Sequence, residues 1–305
     1  MPALTPTRMA ELNEFGEAEA QVNHFLYAPP EFTRPFRLEA RRIGSLWVTM
    51  IPELDTAYFN RIFGLGVGQP ATEAMLDEAL AMLQGAGCTN YMAQVSPLAQ
   101  PAQCTEWLYA RGFKQGANWA KMYRGDEPAP VIPTALRLEM VGKDQAQAFA
   151  SVVLKAFDMP SALRPLSKGF VGQPGWRHYL AFDGETPVSA AAMFVNGEVG
   201  WYGYAGTLKT VRKRGAQGDL LARLIDDGRA LGCRWFVTET GEEKPDDPNP
   251  SYHNMLRNGF KLAYLRRNYI HVPPLGAVKV LRRALFVAAY SVLYGWQRLR
   301  QGKTQ

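Results

Sequence analysis

The sequence contains few of the residues that usually form disulfides or bind metals. Its three cysteines, Cys88, Cys104 and Cys233, show no CxxC spacing, and its four histidines are scattered along the chain. We therefore expect a protein of a reducing compartment without a structural metal ion.

Long apolar runs are missing as well. The stretch MPALTPTRMAELNEF at the N-terminus lacks the apolar core of a signal peptide. No segment reaches the roughly 20 apolar residues that a membrane-spanning helix needs. These absences favour a cytoplasmic protein.

The tail, residues 275–305, contains no acidic residue. Its six basic residues account for the whole net charge of +6, so the rest of the chain is balanced. Proteins that bind nucleic acid usually carry a basic stripe on the folded body, interleaved with stacking aromatics, which this sequence does not show. We expect no nucleic-acid partner.

The middle of this tail, residues 284–296, is apolar on nearly all sides and has arginines on both flanks. It is too short to cross a bilayer. We expect a basic amphipathic helix with one of two roles. Either it packs on the protein or on a second subunit, or it lies peripherally on the inner face of the membrane.

A proline-rich stretch divides the chain into two halves with the same order of elements. Gly-Cys pairs end at Cys88 and Cys233, and Gly-Phe-Lys occurs at 112–114 and again at 259–261. This order predicts a duplicated domain. The predicted parts are an N-terminal segment (1–35), a first domain (36–124), a linker (125–133), a second domain (134–274) and the tail (275–305).

Periodicity in the second half indicates a mixed α/β fold. A strand and a helix precede a three-strand meander, which has hairpin signals at Asp183-Gly184 and Asn196-Gly197. The stretch TVRKRGAQGDLLARLIDDGRALGC (210–233) then predicts a glycine-containing turn and a helix. A strand, a helix and a last strand follow.

The start of that helix is a candidate phosphate site. The first backbone N–H groups of a helix have no partners within it, and the helix dipole adds partial positive charge there. An ordinary helix start with solvated basic residues explains the same pattern.

The turn resembles the signature of the GNAT superfamily of acyl-CoA-dependent N-acyltransferases, in which Arg or Gln is followed by two residues, Gly, one residue, and Gly or Ala. The matching positions are Arg212, Gly215 and Gln217. With TETGE and NPSYHNMLRNGF, the stretch RGAQ is similar to a bacterial subgroup of tandem GNAT proteins. The resemblance covers residues 134–272 well and residues 36–124 as a degenerate copy. It implies an α/β (α+β) fold of two GNAT-like domains, each a mixed, mostly antiparallel twisted sheet flanked by helices.

The resemblance implies acetyl-CoA as co-substrate. Its phosphates would lie on residues 212–218, and its pantetheine arm and thioester along the strand that ends in YAGT. Gln217 departs from the signature, so the turn fits a pyrophosphate only if that side chain points away. The implied contacts are Ala205, Gly206, Thr207, Arg212, Lys213, Arg214, Gly215, Ala216, Gln217, Gly218 and Asn249.

Two residues are candidates for acid–base chemistry. Glu239 follows the phosphate-site helix, where family members separate two strands, and it is a candidate base; a solvent-facing strand residue is the alternative. Met255 stands where the family has its tyrosine acid, and Tyr252 lies nearly one helical turn earlier. Simple packing is the alternative for Tyr252.

The first half lacks a matching turn, because Pro70 stands where Gly215 would align and proline has no N–H to donate. Gly64, Gly66 and Gly68 are candidates to shape an acceptor pocket with Asn60 and Arg61. Glycines that serve only the geometry of a loop are the alternative.

These observations predict an N-acetyltransferase that acts by direct attack of a small-molecule primary amine on acetyl-CoA. One alternative is a coenzyme A sensor without turnover. Another is an amide-forming transferase that acts on cell-envelope or tRNA-linked substrates.

Overall fold

Residues 4–271 are described by a computed structural model and contain eight α-helices and twelve strands. The helices are α1 (Pro6–Leu26), α2 (Pro30–Phe36), α3 (Glu73–Gly85), α4 (Cys104–Ala110), α5 (Ala146–Ala156), α6 (Arg164–Gly169), α7 (Ala216–Ala230) and α8 (Pro250–Arg257). The strands are β1 (Glu39–Ile43), β2 (Leu46–Met50), β3 (Arg61–Phe63), β4 (Tyr91–Val95), β5 (Lys114–Gln115), β6 (Trp119–Arg124), β7 (Arg137–Met140), β8 (Trp176–Asp183), β9 (Thr186–Asn196), β10 (Val199–Thr207), β11 (Trp235–Gly241) and β12 (Lys261–His271).

All twelve strands belong to one mostly antiparallel sheet. Its order is β1-β2-β3-β4-β12-β6-β11-β10-β9-β8-β7, and β5 pairs with β12. Only two pairs in the described chain are parallel, β3 with β4 and β10 with β11. A parallel pair needs a crossover connection, which α3 supplies in the first half and α7 in the second.

The two halves exchange their last strands. The last strand of the first half, β6, pairs with β11 of the second half. The last strand of the second half, β12, pairs with β6 through residues 261–266 and with β4 of the first half through residues 267–271. The linker predicted at 125–133 therefore separates the halves along the chain but not in the sheet.

The N-terminal segment, for which the sequence predicts no element, forms α1 and α2. Helix α1 packs against β10 and β11 of one half and against β1 and β2 of the other. Its buried face includes the acidic residues Glu14 and Glu17. The helix thus brings two carboxylates to the centre of the sheet.

The predicted tail helix (275–305) lies outside the described residues, so its binding to a membrane surface or to a second subunit stays a prediction. Among the helices described, none is both long and apolar enough to cross a membrane.

Candidate active site

Strands β10 and β11 separate halfway along their length. Their parallel pairing ends at Trp201 and Val237. Just beyond, β10 shifts register against β9 between Gly203 and Gly206, and Tyr204 within this bulge has a φ of 52°. A gap therefore opens in the sheet next to an irregular backbone segment.

A cavity of about 380 Å³ occupies this gap. It is lined from β10, β11 and α8 of the second half, from β3 and β6 of the first, and from α1. Its aromatic lining residues are Tyr58, Phe59, Trp119, Phe157, Trp201, Tyr202 and Tyr204.

A buried cluster of charges lies beside the cavity. Glu17 of α1 accepts hydrogen bonds from Arg61 (3.1 Å), Lys121 (2.8 Å) and Arg266 (2.5 Å). Burial alone would raise the pKa of Glu17, but the three cations outweigh it and hold that pKa below its usual range. Glu17 is thus a buried carboxylate that stays ionised.

Glu239 of β11 belongs to the same cluster and lines the cavity. Its Oε2 accepts hydrogen bonds from Lys121 Nζ (3.0 Å) and Trp201 Nε1 (3.1 Å). Every hydrogen bond of Glu239 found in the described chain uses Oε2, so Oε1 is open to a ligand. Burial, and then the charge of Glu17, raise the pKa of Glu239. The structure therefore shows a partly buried, oriented carboxylate rather than a solvent-facing strand residue.

A histidine and a tyrosine form a second polar pair in the cavity wall. His24 Nε2 lies 3.2 Å from the Leu166 carbonyl, which can only accept, so Nε2 carries the proton. Burial lowers the pKa of His24 to about 3, and the neutral ring accepts at Nδ1 from the Tyr204 hydroxyl at 2.6 Å. His24 therefore fixes the direction of the Tyr204 hydroxyl.

The predicted phosphate turn leads into α7. Gly215 precedes the helix with a φ of 81° and provides no side-chain cap. Gln217 turns away from the turn: its Nε2 donates to Ser189 Oγ (2.8 Å) and Thr207 Oγ1 (3.1 Å), and its Oε1 accepts from Tyr202 (3.2 Å). The departure from the signature thus meets the condition under which the turn fits a pyrophosphate.

The basic residues of this turn differ in their contacts. Arg214 forms a two-point ion pair with Asp183, at 2.6 and 3.1 Å. Arg212 makes only a 3.5 Å contact with the Thr207 carbonyl, and Lys213 is exposed with a φ of 66°. Arg212 and Lys213 are therefore better placed than Arg214 to bind a ligand.

The linker packs behind the turn. A Cβ on Gly215 would lie 2.6 Å from the Pro133 carbonyl oxygen, and one on Gly218 would lie 2.9 Å from Ile132. Ala216 is buried. These glycines are thus required by packing, whether or not a ligand binds in front of them.

The YAGT edge of β10 has mixed surroundings. Ala205 lines the cavity, whereas Gly206 faces α5, where an added Cβ would lie 2.6 Å from that of Ala156. Thr207 hydrogen-bonds Ser189 beneath the turn. Of the three, Ala205 is thus the one that the cavity reaches.

The two α8 candidates lie apart from the cavity. Tyr252 packs on the core of the second half, while the cavity is lined by Ser251 and Met255. Asn249 caps α8: its side chain accepts from Ser251 N and Tyr252 N and donates to the carbonyl of Gly241 at 2.7 Å. Contact of either candidate with coenzyme A stays a prediction.

In the first half, the structure separates the two acceptor candidates. Asn60 is buried, accepts from Ile51 N (2.8 Å) and donates to the Asn90 carbonyl (2.9 Å), so its amide braces a loop. Arg61 lines the cavity. Gly64, Gly66 and Gly68 all have positive φ and contact Phe15 or Gln100. These contacts agree with the alternative that the glycines serve only the geometry of the loop.

The two helices that connect the strands of the parallel pairs also start differently. Helix α3 is capped by the side chain of Thr72, which accepts from Met75 N at 3.2 Å. Helix α7 has no side-chain cap. This difference agrees with a phosphate turn in the second half alone.

Sequence reasoning missed Glu17, His24, Lys121 and Tyr204. A signal existed for Lys121, a charged residue between the apolar residues Ala120 and Met122. For the α1 residues no motif exists, because their role depends on a helix packed across the sheet.

The fold was compared with known proteins. A GCN5-related N-acetyltransferase from Kribbella flavida aligns with a TM-score of 0.60 at 16% identity, over 87% of this chain and 96% of that one. A tandem GNAT protein from the clavulanic acid biosynthesis pathway, solved without AcCoA, aligns at 0.57 and 15%, over 88% and 95%. A GCN5-related N-acetyltransferase from Sphaerobacter thermophilus aligns at 0.56 and 14%, over 90% and 96%.

No protein-family model and no curated protein sequence matches the chain. The structural likeness extends over most of this chain and nearly all of each neighbour, at identities that establish the fold. The chain has the mixed α/β fold of GNAT acetyltransferases, a mostly antiparallel twisted sheet flanked by helices.

Proposed function

We propose that this protein is an N-acetyltransferase that transfers the acetyl group of acetyl-CoA to a small-molecule primary amine. One observation carries the proposal: a single cavity reaches both Ala205, on the edge assigned to the thioester, and Glu239, a carboxylate with an open oxygen. The coenzyme A side belongs to the second half. The acceptor side is built by the first half, by α1 and by residues 153–167 of the second half.

The residues that would hold acetyl-CoA fit that role. The uncapped start of α7 offers backbone N–H groups to the pyrophosphate, and Arg212 and Lys213 add positive charge in front of it. The free edge of β10 beyond Trp201 can pair with the extended pantetheine arm. Acetyl-CoA supplies an activated thioester carbonyl.

Glu239 prepares the acceptor. It takes a proton from the ammonium group, directly or through water, and the neutral nitrogen attacks the carbonyl carbon. The C–N bond forms and the C–S bond breaks. The departing sulfur takes a proton and leaves as the thiol.

Two tyrosines are candidates to donate that proton. Tyr252 is implied by the family resemblance but packs on the core. Tyr204 lines the cavity, and its hydroxyl donates its hydrogen to His24 Nδ1, so it can protonate the sulfur only after that hydrogen bond breaks. The turnover of Tyr204→Phe compared with Tyr252→Phe separates the two.

The proposal is tested first by titration calorimetry with acetyl-CoA. Arg212→Ala combined with Lys213→Ala should weaken binding by about a hundredfold or more, since charge-assisted contacts contribute about 1.5–3 kcal/mol each. Lys114→Ala, at an exposed basic position on β5, is the matched control and should bind normally. Equal affinity of all three proteins would contradict the proposed phosphate site.

Turnover is tested by thiol release. Glu239→Gln should lower kcat about 100- to 10,000-fold while acetyl-CoA still binds. Normal turnover of this variant would remove Glu239 as the base. Tight binding of acetyl-CoA without turnover on any amine would favour the coenzyme A sensor.

A further inference from the structure

Arg61 has an unmet hydrogen-bonding group in the cavity wall. The residue is 3% exposed, and one terminal nitrogen donates to Glu17 at 3.1 Å. Its Nε is buried without a hydrogen-bond partner in the described chain. Because Arg61 also lines the cavity, an anionic ligand group there would meet a positive charge with unused hydrogen-bonding capacity.

Arg61 and Glu239 belong to one chain of buried charges. Arg61 contacts Glu17, Glu17 contacts Lys121, and Lys121 contacts Glu239, with each link between 2.8 and 3.1 Å. Both end members line the cavity. The cavity thus presents a guanidinium and a carboxylate, both held in place from behind.

The cluster as a whole is neutral. It contains three acids, Glu14, Glu17 and Glu239, and three bases, Arg61, Lys121 and Arg266. A zwitterion leaves this balance unchanged when it enters. A simple ammonium ion adds a positive charge next to this buried cluster, which is unfavourable without a compensating anion.

Much of the remaining cavity lining is aromatic or aliphatic. It includes Tyr58, Trp119, Phe157, Val153, Leu163 and Leu166, and the rings of Tyr58 and Trp119 lie 5.5 and 6.0 Å from Arg61 Cζ. Such a lining binds an aromatic or large aliphatic group and disfavours a hydrophilic or cationic chain.

We propose that the acceptor is an α-amino acid with an aromatic or large apolar side chain, whose ammonium faces Glu239 and whose carboxylate binds Arg61. This inference rests on the proposed function. The product is the N-acetyl amino acid: the ammonium loses one proton to Glu239 and then a second as the C–N bond forms. One of these protons is carried away by the thiol and the other passes to solvent.

The test compares L-phenylalanine with phenethylamine, which lacks the carboxylate, and with spermidine, which also lacks the ring. The full-length protein should acetylate L-phenylalanine with a kcat/KM at least tenfold above that for phenethylamine, and spermidine should be the poorest. A preference for phenethylamine or spermidine would overturn the proposal.

Arg61→Lys tests the carboxylate contact while keeping a positive charge next to Glu17. This variant should lose most of the preference for L-phenylalanine over phenethylamine. An ammonium cannot form the two parallel hydrogen bonds that a guanidinium forms with a carboxylate. Arg41→Lys, on the exposed face of β1, is the matched control and should keep it. An unchanged preference in Arg61→Lys would refute the contact, and if the variant does not fold, the substrate comparison decides alone.

Binding separates this inference from the proposed function. Trp119 and Trp201 line the cavity, so L-phenylalanine should change the tryptophan fluorescence without acetyl-CoA present. If acetyl-CoA binds but L-phenylalanine neither binds nor is acetylated, the amino-acid proposal is wrong and the acetyltransferase proposal stands. If L-phenylalanine binds but acetyl-CoA does not, the acetyltransferase proposal is wrong, and the cavity is an amino-acid binding site.

Discussion

His178 lies in the core of the second half, and neither ring nitrogen has a hydrogen-bond partner in the described chain. Phe149 and Phe170 contact its ring at 4.8 Å between centroids, and Trp176 stacks on it. Burial lowers the pKa of His178 to about 3. The ring therefore behaves as an apolar side chain whose protonation opposes folding.

We predict that acid destabilises the protein over a wide pH range. The unfolded chain takes up a proton near the ordinary histidine pKa of about 6.5, while folded His178 does so only near 3. As the pH falls between these values, the free energy of unfolding should drop by about 1.4 kcal/mol per pH unit for this residue. Urea unfolding at several pH values measures the slope.

His178→Leu should make that slope shallower by the contribution of one proton. Protonation of His24 should account for a similar part of the pH dependence that remains in this variant. His253→Ala removes an exposed histidine and serves as control. An unchanged slope in His178→Leu would show that other groups cause the acid sensitivity.

Individual site residues were predictable where their type carries the chemistry. Glu239 was named as a candidate because a carboxylate next to the strands that family members separate suits a base, and that role stays a prediction. Glu17 was not, because its position three residues after Glu14 on α1 is also that of an ordinary surface acid. What distinguishes it is the arrival of Arg61, Lys121 and Arg266 from distant strands.

At the scale of elements, Asn249 shows how one side chain can position a helix. Its oxygen caps α8, and its amide nitrogen holds the end of β11 through Thr240 and Gly241. The cap and the strand contact can be removed separately, because one needs an acceptor and the other a donor.

We predict that Asn249→Ala lowers the free energy of unfolding by about 0.5–2 kcal/mol, the usual effect of losing an N-cap. Asn249→Asp keeps the acceptor and loses only the donors. Its melting temperature should therefore lie between those of Asn249→Ala and the unchanged protein. Equal stability of Asn249→Ala and the unchanged protein would show that the cap is replaced by water.

The elements of the second half were predicted closely. The strand predicted before the meander is β7 (Arg137–Met140), and the helix predicted after the glycine-containing turn is α7 (Ala216–Ala230). The pairing of the strands was not predicted, because apolar alternation shows which face of a strand is buried but not which strand lies next to it. The exchange of β6 and β12 is therefore absent from the sequence pattern.

At the scale of the whole molecule, this exchange makes the halves dependent on each other. Without the second half, β6 loses both neighbours, and β4 loses β12. The cavity is also divided, since Arg61 and Glu239 come from different halves.

We predict that fragments 1–124 and 125–305, produced separately, do not fold, and that they regain ellipticity and acetyl-CoA binding only when refolded together. A protease site inserted at Val131, which is 95% exposed, is the control. When the folded protein is cut at this site, its two fragments should stay bound to each other. A folded, monomeric fragment 125–305 would contradict the interdependence.

The strand exchange also has a consequence for how the protein is made on the ribosome. More than 100 residues separate the end of β6 from the start of β11, so at ordinary elongation rates β6 waits on the order of 10 s for its partner. During that time its unpaired edges can capture another nascent chain. Two chains made side by side on one messenger RNA can therefore swap halves before either is complete, and slow elongation or closely spaced ribosomes should favour such intertwined dimers.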